Sequence, residues 1–136
     1  MVPVNYVAVL VAAVAVFVLG WLWYSPFLFF KPWMRLRGMD PVAAMAGAKM
    51  PAGKLLIELA RCLVLAYAIA RFMALLDVGS SLGAVHLGLF LWIGFPVILL
   101  TGSVLWENVP WKVAAIHAGD WLVKMLVIPI IVSVWP

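Results

Sequence analysis

Four stretches of the chain are nearly continuous in apolar residues, and polar positions gather between them. They run over roughly 4–25, 54–76, 83–105 and 112–135. About 20 residues at ~1.5 Å each cross a ~30 Å hydrocarbon core, so each stretch predicts a membrane-spanning helix. The 31–53 segment between the first two reads KPWMRLRGMDPVAAMAGAKMPAG. Asp40 followed by Pro41 is an N-cap and first-turn pair. A short interfacial helix is therefore predicted after it, with Val42 and Met45 on the headgroup boundary and Lys49 toward anionic lipid. Pro51 and Gly53 stop it. Pro96 and Pro129 fall inside the third and fourth stretches and predict kinks. The fold class expected is all-α: a four-helix transmembrane bundle with a short interfacial helix in the first cytoplasmic loop, formed by residues 1–136 as one unit.

Composition narrows the class. Of 136 residues, 68% are hydrophobic and 10% charged, and the mean hydropathy is +1.21. A soluble domain of this length needs far more polar surface. The net charge of +4 is unevenly placed. Lys31, Arg35, Arg37 and Lys49 occupy the first loop, Lys54 stands at its edge, and only Asp40 opposes them. Translocated loops disfavour Lys and Arg, so this loop is expected in the cytoplasm and both termini on the outer side of a cytoplasmic membrane. That placement points to lipid as the partner and away from nucleic acid. The first stretch has no basic n-region and no small-residue cleavage site, so it is read as a retained span. Trp21, Trp23, Tyr24, Trp33, Trp106 and Trp111 all fall at the cytoplasmic ends, as an aromatic anchoring belt. Arg71 is placed to snorkel outward toward Asp77. Small residues recur every fourth position at Ala8 and Ala12, and at Ala66, Ala70 and Ala74. Such stripes let helices approach closely, within the chain or between subunits of a homo-oligomer or other membrane assembly. The single cysteine, Cys62, excludes an intrachain disulfide and is read as a small core residue.

Two spans carry charge where lipid should forbid it. In IHAGDWLVKML, His117, Asp120, Trp121 and Lys124 share one side of a helix at 100° per residue. Glu58 and Arg61 stand three residues apart in the second span. Counting ~1.5 Å per residue from the cytoplasmic end puts Glu58 level with His117 and Arg61 level with Asp120. Each Asp, Lys or Arg at a helix centre costs roughly 2.5–3.5 kcal/mol to insert, against ~0.3–0.6 returned by each strong apolar residue. The expectation is therefore an intramembrane polar cluster of Glu58, Arg61, His117, Asp120 and Lys124, with spans two and four adjacent and Arg61 meeting Asp120. The charges balance, which favours a pairing device in a structural or accessory membrane protein. The alternative is a small proton-linked transporter or channel relaying protons through Asp120, His117 and Glu58.

Enzyme chemistry finds no support. His86 and His117 lie ~18 Å apart by helix arithmetic and cannot share a metal or haem. No phosphate-binding glycine loop and no nucleophile–base arrangement stands out, so no catalytic, cofactor or metal site is assigned.

Several short motifs carry a resemblance. Asn5, Trp23-Tyr24-Ser25-Pro26, Lys31-Pro32-Trp33-Met34, Trp92-Ile93-Gly94-Phe95, Val109-Pro110-Trp111-Lys112 and the 116–124 run, closing on Trp135, are similar to a family of small bacterial multi-pass membrane proteins, domain of unknown function 1761. The similarity covers nearly the whole chain. It implies a topology and carries no reaction.

Overall fold

Asn5 starts the first helix. Its Oδ1 accepts the backbone N–H groups of Val7 and Ala8 at 3.0 and 3.2 Å, which satisfies two of the four donors a helix start leaves free. The computed structural model describes residues 4–25, 28–40 and 52–135. Among them the regular structure is helical throughout: α1 (Tyr6–Trp23), α2 (Phe30–Leu36), α3 (Ala52–Leu75), α4 (Ser81–Trp92), a π turn (Ile93–Val97), α5 (Ile98–Trp106) and α6 (Trp111–Val134). The interfacial helix expected over 42–50 lies outside the described residues. A different short helix, α2, precedes it. Gly38, at φ 76°, ends α2 in a Schellman turn: its own N–H reaches Arg35 O at 3.0 Å and that of Met39 reaches Met34 O at 2.9 Å. Asp77, at φ 54°, ends α3 in the same way, with Val78 N donating to Met73 O. Arg71 makes no ion pair with Asp77.

Among the described residues, three helical stretches are long and apolar enough to cross a membrane: 6–23, 81–106 and 111–134. α3 has 24 residues but carries Lys54, Glu58, Arg61 and Arg71, so it falls outside that set. The kink expected at Pro96 is a π turn. Proline has no N–H to give its fourth-preceding carbonyl, and widening the turn accommodates the ring within a continuous 81–106 helix.

Packing follows the small residues. α1 lies between α3 and α6, and α6 lies between α1 and α4. Ala8 and Ala12 on α1, and Ala66 and Ala70 on α3, are all buried, so both stripes are used within the chain. Cys62, Ile69, Met73, Val16 and Ile128 complete this core. Gly88 makes the α4–α6 approach possible: a Cβ there would stand 2.0 Å from the Met125 carbonyl oxygen. The expected adjacency of spans two and four is present only as a smaller contact, and the expected meeting of Arg61 with Asp120 is not made. α3 packs chiefly on α1, and the main neighbours of α6 are α1 and α4.

Candidate functional site

The polar residues of α6 face α1. Two tryptophans set that rotation. Trp23, at the end of α1, lies against Gly119, where an added Cβ would come within 2.5 Å of the ring. Its Nε1 donates to Ile116 O at 2.9 Å. From α4, Trp92 Nε1 donates to Ala118 O at 2.8 Å. The α6 backbone is thus held from two sides one turn before Asp120. Trp23 was anticipated as an interfacial anchor; here it and Trp92 are also donors that fix a helix.

Held this way, Asp120 and Lys124 come opposite Gly20. A side chain at Gly20 would meet Asp120 Oδ1 at 3.7 Å and Lys124 Cε at 3.8 Å, so the absent side chain makes the room they fill. Lys124 Nζ donates to Asp120 Oδ2 at 2.9 Å, both side chains are under a tenth exposed, and the ammonium lies 5.0 Å from the Trp121 ring centroid. One turn earlier, the Tyr24 hydroxyl and His117 Nδ1 share a hydrogen bond of 2.5 Å. Trp33 packs against Tyr24, the rings tilted at 53° with centroids 4.8 Å apart. The Asp120 carboxylate is near enough to act electrostatically on the Tyr24 hydroxyl. A seam of polar groups, His117, Tyr24, Asp120 and Lys124, therefore runs inward along α6. It stops there: farther along, α6 buries Met125, Ile128 and Pro129, and α1 presents Val9, Ala12, Ala13 and Val16. Among the described residues no buried side-chain nitrogen or oxygen lacks a partner.

Glu58 and Arg61 do not join this seam. Arg61 Nη1 donates to Glu58 Oε2 at 2.6 Å within α3, and the side chains of Arg61 and Glu58 are 60% and 38% exposed. The five residues expected as one cluster thus divide into a buried pair on α6 with His117 beside it, and an outward pair on α3. The reason is geometric. Carboxylate and cation three or four residues apart on a helix already reach each other, so neither pair needs the other helix. Counting residues along a helix gives depth but not azimuth, and the azimuths keep Arg61 from Asp120. Sequence reasoning missed Gly20 as the partner position. The available signal was a glycine inside the apolar first span, one turn before the Trp-Tyr pair.

The seam opens toward a cleft of about 490 Å³ where α2, α5 and α6 meet, lined by Trp33, Arg37, Leu100, Ser103, Val113 and His117 among others. The Arg37 guanidinium lies over Trp33, 5.1 Å from its ring centroid. Among the described residues no three His, Cys, Asp or Glu side chains gather as metal ligands would.

No curated protein and no solved structure matches this chain. A family model does: the one described as Protein of unknown function (DUF1761) matches residues 7–133. Both the Trp23-Tyr24 element that grips α6 and the 116–124 run that it grips lie inside that match, and the chain belongs to this family.

Proposed function

We propose that this chain is a structural or accessory protein of a bacterial cytoplasmic membrane and not an enzyme, crossing the bilayer four times with both termini on the outer side. α3 is the fourth crossing in this reading, since its buried alanine face packs along α1 while its charges lie on other faces. The basic residues Lys31, Arg35 and Arg37 support a cytoplasmic first loop in this reading. The observation that carries the reading is the Asp120–Lys124 pair. It is buried, closed within one helix and at the blind end of the polar seam. Asp120 and Glu58 are each ion-paired with a cation of their own helix, at 2.9 and 2.6 Å, so neither carboxylate faces an open path. The outward Glu58–Arg61 pair supports assembly through α3 with a second copy or another subunit, because charge turned toward acyl chains is costly.

The test is a double-mutant cycle on folded yield in detergent. Removing one partner of a buried pair typically costs about 3–5 kcal/mol, whereas replacing both by apolar residues is close to neutral. Asp120→Asn and Lys124→Met should each lower folded yield strongly, and the double variant should recover most of it. Two unaffected single variants would refute the reading. The second reading, a proton-linked transporter, is favoured by the hydrogen-bonded His117 and Tyr24 standing one turn from the buried Asp120 on the same side of α6. It requires that a folded double variant in proteoliposomes lose a pH-driven flux that the parent chain supports.

A further inference from the structure

The cleft beside His117 does not stand alone. A second hollow of about 450 Å³ lies between α5 and α6, lined by Val97, Leu100, Thr101, Ala115 and Ala118 among others. The two share Leu100. The second is apolar almost throughout, and its one hydroxyl, on Thr101, is already bonded to Ile98 O at 3.0 Å. Its origin is the π turn. α4 packs closely on α6, but beyond Ile93–Val97 the helix is re-aimed, and α5 buries none of its residues. From Leu105 to Val97 the groove follows eight residues of helix, about 12 Å. The first cleft, by contrast, carries the means to hold an anion. No carboxylate among the described residues forms an ion pair with Arg37. His117 Nδ1 is engaged by the Tyr24 hydroxyl, and when that hydroxyl donates, the ring proton sits on Nε2, which can donate in turn.

We infer that the two hollows form one binding site for an anionic phospholipid of the cytoplasmic leaflet. Its phosphate sits between Arg37 and His117, and one acyl chain lies in the groove between α5 and α6. The juxtaposition selects this ligand class. A free anion would use the first cleft and leave the groove open, an uncharged lipid would leave Arg37 without an anion, and a zwitterionic phospholipid would bring its own ammonium up against the Arg37 guanidinium. The position agrees, since Trp33, Trp106 and Trp111 stand at the same end of the helices, where headgroups lie.

Native mass spectrometry of the detergent-solubilised full chain tests this with phosphatidylglycerol and phosphatidylcholine of identical acyl chains. One phosphatidylglycerol per chain should be retained, at least tenfold more tightly than phosphatidylcholine. Arg37→Gln should remove that preference, and Ala115→Phe, which fills the groove, should weaken both lipids about tenfold. Arg37 and Ala115 are exposed, so neither variant disturbs the core, and an unchanged elution volume verifies that. Equal retention of both lipids by the parent chain would overturn the assignment. So would full displacement of phosphatidylglycerol by millimolar inorganic phosphate, which would mark a simple anion site. Phosphatidylglycerol binding untouched by either variant, or a second copy of the chain cross-linked into the groove through Ala115→Cys, would overturn it as well.

Discussion

Replacing Gly88 by alanine adds one methyl group where α4 lies against the backbone of α6. The new Cβ would stand 2.0 Å from the Met125 carbonyl oxygen, about 1.4 Å short of ordinary contact. The obstacle is backbone, which no rotamer change can clear. α4 must therefore retreat by roughly that distance or α6 must bend. Overpacking of this kind costs about 1–3 kcal/mol. A retreat also stretches the bond from Trp92 Nε1 to Ala118 O, now 2.8 Å, beyond hydrogen-bonding range, at a further ~1 kcal/mol. The expected loss is about 2–4 kcal/mol. Unfolding in mixed micelles by titrating dodecyl sulfate reads it as an earlier midpoint. Gly102→Ala is the control: nothing lies within 4 Å of its added Cβ, and alanine is favoured in a helix by up to ~1 kcal/mol, so its midpoint should hold or rise. If Gly88→Ala and Gly102→Ala unfold together, the close approach of α4 to α6 is refuted.

Three further outcomes are expected. Asn5→Ala removes the acceptor for Val7 and Ala8 N–H and should cost about 1 kcal/mol in the same titration. Gly119→Ala should be destabilising by about 1–3 kcal/mol because the methyl meets the Trp23 ring, and Trp23→Leu in the same chain should recover part of the loss by making room. Val64 is 69% exposed and stands one turn beyond Arg61 on α3. Val64→Cys should form a disulfide-linked dimer in oxidised membranes if α3 meets a second copy, while the parent chain, whose Cys62 is buried, should not. Monomer alone at Val64→Cys would count against self-assembly through that face.

The helices were legible because their apolar runs are long and their breaks carry chemistry of their own. The alanine stripes marked faces fit for close approach but not what lies opposite them, and the structure assigns both to the α1–α3 contact. The pairing of helices was harder. Depth along a span can be counted from the sequence, but rotation about its axis is fixed by what neighbours do. Here Trp23 and Trp92 decide the rotation of α6 by bonding to its carbonyls, a contact no periodicity encodes. α2 escaped notice because Phe30–Leu36 is too short for a periodic signal and contains Pro32. The cleft escaped for a related reason. Its lining comes from three helices, and the gap between α5 and α6 depends on the single π turn.

That turn inserts one residue into the helical repeat and so swings everything after it by about 100°. One continuous segment is in effect two half-length rods with unrelated inward sides, the first committed to the bundle by Ala84 and Gly88, the second released from it. Interior packing consequently constrains the later half less, since it buries no residue fully and packs chiefly on α6, whereas a one-residue deletion near Pro96 would re-phase that half and turn Leu100 and Val104 to new surroundings.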